Sequence, residues 1–395
     1  MRLRRRLRGP LGSTLSALVT TCVGLLPVFL TGALSVQMRT GLRFGAGLLG
    51  VATAVFFVIS ACSALSAGAA ADRIGAAMVM RVGAVVSGLV LLGIATGAHD
   101  WAELTALLAI GGVANGAIQP AANGYLAQTV AHQRQGLAFG AKQAAIPAAT
   151  LLAGLAVPVA SGAVGWRTAF AVAAALAMLA AVTVPGVGQR RCTTAEPDVR
   201  RTPRFSRGPL VTLALAIGLG SAAGNALGAF FVPAAVHEGV PAATAGLVAA
   251  VSSLASLLMR LTIGHRADRR SSGHLRSVAT LCAVGSVGVL LIAVGRPVLL
   301  VPGAVIAWAA GWGWAGLFNF AVAASHPAAP ARATGLTQLG ASTGAAAGPL
   351  AFGIMVGHIG YSTAWLIMGG ALACAAPLML RGRMQLLTAL ETARR

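Results

Sequence analysis

Charge is what this chain has least of. Only 9% of its residues are charged, against roughly 25% in a soluble globular protein, so most of its surface faces something other than water. Lysine occurs once, at Lys142, and every other basic side chain is arginine. The acids are Asp72, Asp100, Glu103, Glu196, Asp198, Glu238, Asp268 and Glu391. All lie in loops, termini or the ends of apolar runs, as do the seven histidines, which leaves no buried carboxylate or imidazole for an intramembrane proton relay. The five cysteines, Cys22, Cys62, Cys192, Cys282 and Cys374, share no metal-ligand or disulfide spacing. A phosphate-cradling Gly-x-x-x-x-Gly-Lys-Ser/Thr loop is missing, which argues against ATP as an energy source. So are an embedded aspartate pair, a serine with a base and a histidine cluster, so the chain is not read as an enzyme and no cofactor is expected.

What the chain has in abundance is apolar sequence, 57% of 395 residues. Runs of about 20 apolar residues, the length a helix needs to cross a bilayer, recur near 12–36, 45–70, 76–98, 101–128, 136–160, 166–187, 209–236, 241–265, 274–295, 297–325, 334–357 and 361–381. Twelve spans make an all-α integral membrane protein. The first run reaches about Val36, too long for a signal-peptide core, and is read as a retained span. Between the sixth and seventh runs, residues 188–208 are polar and arginine-rich, a natural linker between bundles at 1–187 and 209–395. The net charge of +21 would suggest nucleic acid in a soluble protein. Here the arginines gather in the termini and in alternate loops. Only Arg39, Arg43, Arg167 and Arg296 fall on the other side, and Lys142 and Arg260 fall inside spans. That asymmetry places both termini in the cytoplasm and excludes a nucleic-acid partner. An alanine- and arginine-rich, nearly lysine-free composition suits a high-GC bacterium and so a bacterial inner membrane, with lipid as the surrounding partner and a monomer as the expected state.

Between the second and third runs stands Gly68-Ala-Ala-Ala-Asp72-Arg73-Ile-Gly75, a tight polar turn, and the same words return as Gly264-His265-Arg266-Ala267-Asp268-Arg269-Arg270. The halves also echo each other at Gly136-Leu137 and Gly335-Leu336, and at Gly165-Trp166 and Gly360-Tyr361. This loop, in that place in each half, resembles the signature of the major facilitator superfamily of transporters. The resemblance implies two six-helix repeats, with substrate held near the midplane between them. It also implies that Gly68, Asp72, Arg73, Gly75, Gly264, Asp268 and Arg269 form a cytoplasmic latch that opens as the protein rocks. Ala76-Ala77 stands where the family carries more basic residues, which weakens the latch.

In that family the first, fourth, seventh and tenth spans line the cavity, flanked by the second, fifth, eighth and eleventh. Polar residues at helical spacing fall on such spans: Asn115, Gln119 and Asn123; Ser252, Ser256 and Arg260; Thr334, Gln338 and Ser342. Each stripe either meets substrate or bonds a neighbouring helix. Trp308 and Trp312, four residues apart in the tenth run, offer either a flat apolar wall or core packing. Lys142 and Arg260 lie about 9 Å inside their spans at ~1.5 Å per residue, on spans that pack across the interface in this fold. Two such cations repel and are poorly solvated, and an anion between them relieves both costs. The alternative is that both snorkel to the surface.

Gly340, Gly344 and Gly348 before Pro349 are spaced for close helix packing and partly resemble the glycine–proline signature of drug/proton antiporters. That signature belongs to the fifth span, which has only Gly154-Leu-Ala-Val-Pro158. The reading that results is a secondary transporter of a small organic anion working by alternating access, either as a uniporter or with a proton or counter-anion as coupling partner. Efflux of hydrophobic or cationic drugs is the alternative, and a membrane receptor on the same fold is less favoured.

Overall fold

The computed structural model describes residues 10–131, 135–162, 165–184, 207–268, 273–325 and 330–394. Among them the regular structure is helical throughout. The first span is Pro10–Ala33, followed by a short helix, Ser35–Leu42. The second, third and fourth are Ala46–Ile74, Ala76–Gly97 and Trp101–Thr129. The fifth comes in two pieces, Gln135–Gln143 and Ala145–Ala160, and the sixth is Gly165–Thr183. The seventh, eighth and ninth are Arg207–His237, Ala242–Asp268 and His274–Ala293. The tenth begins as Pro297–Ile306, widens into a π-helical turn at Ala307–Gly311 and resumes at Ala315–Ser325. A last helical stretch, Pro330–Arg394, is broken at Gly360 (φ 77°) into the eleventh and twelfth. Eleven stretches among the described residues are long and apolar enough to cross a membrane, and the final one, 57 residues, holds two spans. This is the twelve-span all-α architecture expected from the sequence.

Several boundaries differ from the hydropathy reading. The second helix does not stop near residue 70: Ala69, Ala70 and Ala71 are strong helix formers, and the helix continues through Gly68 and Asp72 to Ile74. What looked like an eight-residue loop shrinks to Gly75 alone, whose φ of 93° is open to glycine at little cost. The twelfth helix also runs on past residue 381 to Arg394, because Gln385, Leu386 and Leu387 continue a helical pattern. Residues 188–206 of the expected linker lie outside the described residues.

Two arginines tie the third and sixth spans together at both ends. The Arg81 guanidinium donates to the Val184 carbonyl, 2.7 Å from Nη2. At the other end Arg167 Nη2 donates to the Ala98 carbonyl at 2.8 Å and Nη1 to that of Ala95 at 3.0 Å. The last carbonyls of a helix have no intrahelical donor, so each arginine satisfies groups that would otherwise be orphaned in an apolar setting. Arg167 also lies over the Trp166 ring, 4.4 Å from its centroid.

Small residues set the closest helix contacts, as lipid-embedded packing requires. A Cβ added at Gly340, Gly344 or Gly348 would collide with the backbone of Ala214, Gly218 or Ala222 on the seventh span. That ladder joins the eleventh span to the seventh, within the second half. Other contacts join the halves. Gly50 faces Pro349 and Gly353, Gly154 faces Gly246 and Ala250, and Gly32 faces Ala229. Each of these sits toward the end of the bundle away from the chain termini.

The opposite end, here termed the basic face, carries both described chain ends and the Gly75 turn. Toward it the inner helices lose their cover. No described residue of the second span beyond Ser60, or of the eighth beyond Arg260, is fully buried. A Cβ at Gly68, Gly140, Gly264 or Gly335 would meet no neighbouring atom within 4 Å. The two halves thus touch at one end and part at the other, leaving a cleft that opens on the basic face and closes at the level of Ser60 and Arg260.

Candidate functional site at the floor of the cleft

The floor of the cleft is built where the fifth span breaks. A helical carbonyl normally accepts from the N–H four residues on. For Gln143 that residue is Pro147, which has none. The helix turns at Ala144, and the orphaned Gln143 carbonyl is taken by Nη1 of Arg260, reaching across from the eighth span at 2.5 Å. The tenth span supplies a second break. Around the π turn and the irregular residues after it, the Trp312 carbonyl is free to accept Nη2 of Arg260 at 2.7 Å. One buried guanidinium, 7% exposed, therefore bridges helix breaks in the two halves. Its Nε has no hydrogen-bond partner.

Lys142 lies one residue from the Gln143 carbonyl and is 3% exposed. Its Nζ donates to Gln119 Oε1 at 2.5 Å. Gln119 Nε2 in turn donates to Asn115 Oδ1 at 3.3 Å, and Asn115 Nδ2 to Ser60 Oγ at 2.8 Å. A continuous polar chain thus runs from the second span through the fourth to the fifth and ends beside Arg260. Both cations point inward rather than snorkelling. Their partners are neutral, and the one ion pair among the described residues, His99 with Glu103 at 3.4 Å, lies at the far end of the fourth span.

The other sequence candidates fall around this floor at different depths. Asn123 continues the Asn115–Gln119 stripe toward the basic face and is exposed, as is Gln338 on the eleventh span. Ser252 and Ser256 are buried below Arg260, and their hydroxyls lack partners. Beside them Thr150 and Ser253 hydroxyls meet at 2.8 Å across the halves.

The π turn alters the spacing of the tryptophans. Trp308 packs edge-on to Phe231 of the seventh span, centroids 5.0 Å apart. Trp312 sits against Gly224 and Gly228 of that span and edge-on to Phe29 of the first half at 5.7 Å. Trp308 is thus enclosed within the second half, whereas Trp312 closes the floor between halves. On the basic face Arg73 is exposed. The side chains of Asp72 and Asp268, and Arg269 as a whole, lie outside the described residues.

Three participants escaped the sequence reading: Ser60, Pro147 and the Trp312 carbonyl. Pro147 carried a usable signal, since a proline inside a span marks the carbonyl four residues earlier as free.

The fold has counterparts in known proteins. The Major Facilitator Superfamily profile matches residues 13–211 and 213–390. No curated protein sequence is significantly similar. Among solved structures, a bacterial homolog of the human lysosomal transporter Spinster, in an inward-facing and unoccupied conformation, superposes with a TM-score of 0.75 at 14% identity, covering 96% of this chain and 98% of the other. A D-xylose–proton symporter gives 0.78 at 16% identity, covering 93% and 96%. The nucleoside transporter NupG gives 0.69 at 17%, covering 97% and 99%. At such identities the likeness speaks for the fold alone, while the profile spans nearly the whole sequence. With twelve apolar spans in two packed halves, the chain belongs to the major facilitator superfamily and is a multi-pass membrane transporter.

Proposed function

We propose that this transporter carries a small organic anion across a bacterial inner membrane by alternating access, with both termini in the cytoplasm. On that orientation the cleft is inward-open, and the Gly68–Gly75 and Gly264–Arg269 segments belong to a latch that closes in the outward-open state. The observation that carries the cargo class is the convergence of Lys142 and Arg260 on the fifth-span break with neutral partners only. A buried cation facing only amide and carbonyl oxygens keeps much of its desolvation cost, and two neighbouring ones add repulsion. An anion offsets both. Gln119, Asn115 and, nearer the entrance, Asn123 and Gln338 supply neutral donors for the rest of the solute, and Trp312 supplies an apolar wall. Trp308, behind it, supports that wall.

A thermal-shift screen of the purified protein against carboxylates, other small anions and cationic dyes tests this. A ligand at about 100 times its Kd stabilises the folded state by roughly 2.7 kcal/mol. The expected outcome is stabilisation by an anion that is lost in Lys142→Gln and Arg260→Gln. Stabilisation by dyes alone, unchanged in both variants, would replace the anion reading with drug efflux.

A further inference from the structure

The spans hold no carboxylate or imidazole at the level of the floor, yet the floor does hold one group able to gain and lose a proton. We propose that Lys142 is the proton-coupling group: it takes the anion as an ammonium and crosses back empty as an amine. This rests on the anion reading above and adds the coupling ion to it.

The geometry favours a lysine in this role over its neighbour. Arg260 has two carbonyl acceptors fixed by helix breaks and a guanidinium that stays charged in proteins. Lys142 has three protons in its charged form and one acceptor, Gln119 Oε1, so as an ammonium it leaves two donors and a charge unmet at Nζ, and as an amine one weak donor and no charge. Loss of a proton leaves an amine that still donates to Gln119, and the polar chain to Asn115 and Ser60 persists unchanged.

The charged and titratable surroundings are few. From the eighth span comes Arg260, whose charge favours the amine. The fourth span presents Gln119, with Glu103 at the remote end and Tyr125 packed against Met80 and Leu126 near the basic face. The tenth presents the Trp312 carbonyl and, in Ala315–Ser325, no titratable side chain. The first, Pro10–Ala33, has Cys22 as its one titratable group. Nothing among these described residues would hold Lys142 permanently charged.

The cycle balances. On the loading side Lys142 binds one proton from water and one anion. On the opposite side the anion leaves and the ammonium returns its proton to water. The net movement is one anion with one proton, electrically neutral for a monoanion.

Because the chain has a single lysine, protein grown with 15Nζ-labelled lysine carries one side-chain signal, which reports the state of Lys142 without any substrate. Scanned from about pH 6 to pH 9, the signal is expected to pass from the ammonium to the amine form, and to do so at higher pH in Arg260→Gln, where a repelling charge has gone. Sodium acetate added as a probe anion should move the wild-type titration upward as well. A signal invariant across that range would overturn the coupling role, and the wild-type measurement decides this even if the variant fails to fold. The anion reading is judged separately by the thermal-shift screen, so either can fail alone. If both hold, the affinity of the anion found there should fall up to about tenfold per pH unit above the titration.

Discussion

Arg260 acts as a connector because two backbones were broken to receive it. Replacing it by methionine, of similar length but without donors, would leave the Gln143 and Trp312 carbonyls buried and unsatisfied. At about 1–3 kcal/mol for each orphaned group, the expected loss of stability is roughly 2–6 kcal/mol, read as a lowered thermal midpoint in detergent. Adding Pro147→Ala should recover part of that loss, because residue 147 then offers Gln143 the N–H that proline withholds. The same substitution in the wild type has no such loss to repair, so the two changes should be non-additive in a double-mutant cycle. Additive effects would mean that Arg260 and the break are independent. At this scale the sequence showed the two cations and their depth, because charge inside an apolar run stands out. It did not show their partners, which depend on how each helix is rotated about its axis and on carbonyls that any residue type can supply.

Helices in this protein meet chiefly through glycine, and the contacts differ in what a side chain would cost. Gly344 lies against the Gly218 backbone, whereas Gly357 on the same helix has no neighbour within 4 Å. Gly344→Leu should therefore lower the thermal midpoint sharply, an overpacking cost of at least about 1–3 kcal/mol. Gly357→Ala should be neutral or raise it slightly, since alanine is the better helix former. Equal effects at the two positions would show that the ladder is not the contact it appears in the fold. The element scale was the most legible in the sequence, since apolar length alone marks a span. The interruptions were less so: the π turn in the tenth span has no signature in hydropathy, and the alanines after Gly68 concealed a continuing helix behind a loop-like motif.

For the molecule as a whole, the closed end of the cleft should be trappable. The Thr150 and Ser253 hydroxyls, 2.8 Å apart on opposite halves, sit where two cysteine sulfurs could bond with little movement. In a background with the native cysteines replaced, Thr150→Cys with Ser253→Cys should cross-link under mild oxidation and hold the basic face open. Transport of the anion identified in the screen should then stop and return on reduction. Transport that continued with the bond intact would mean that the fifth and eighth spans need not separate.

The glycine ladder between the seventh and eleventh spans bears on where such motion arises. Its teeth, at Gly340, Gly344 and Gly348, stand four residues apart, or about 6 Å along the axis, and each rests on a backbone rather than on a side chain that could swing aside. The pair is geared like a rack against its pinion: it can stay in mesh or jump a whole tooth, with no shallow positions between. Gradual sliding is therefore denied to it, and the two spans travel as one rigid beam.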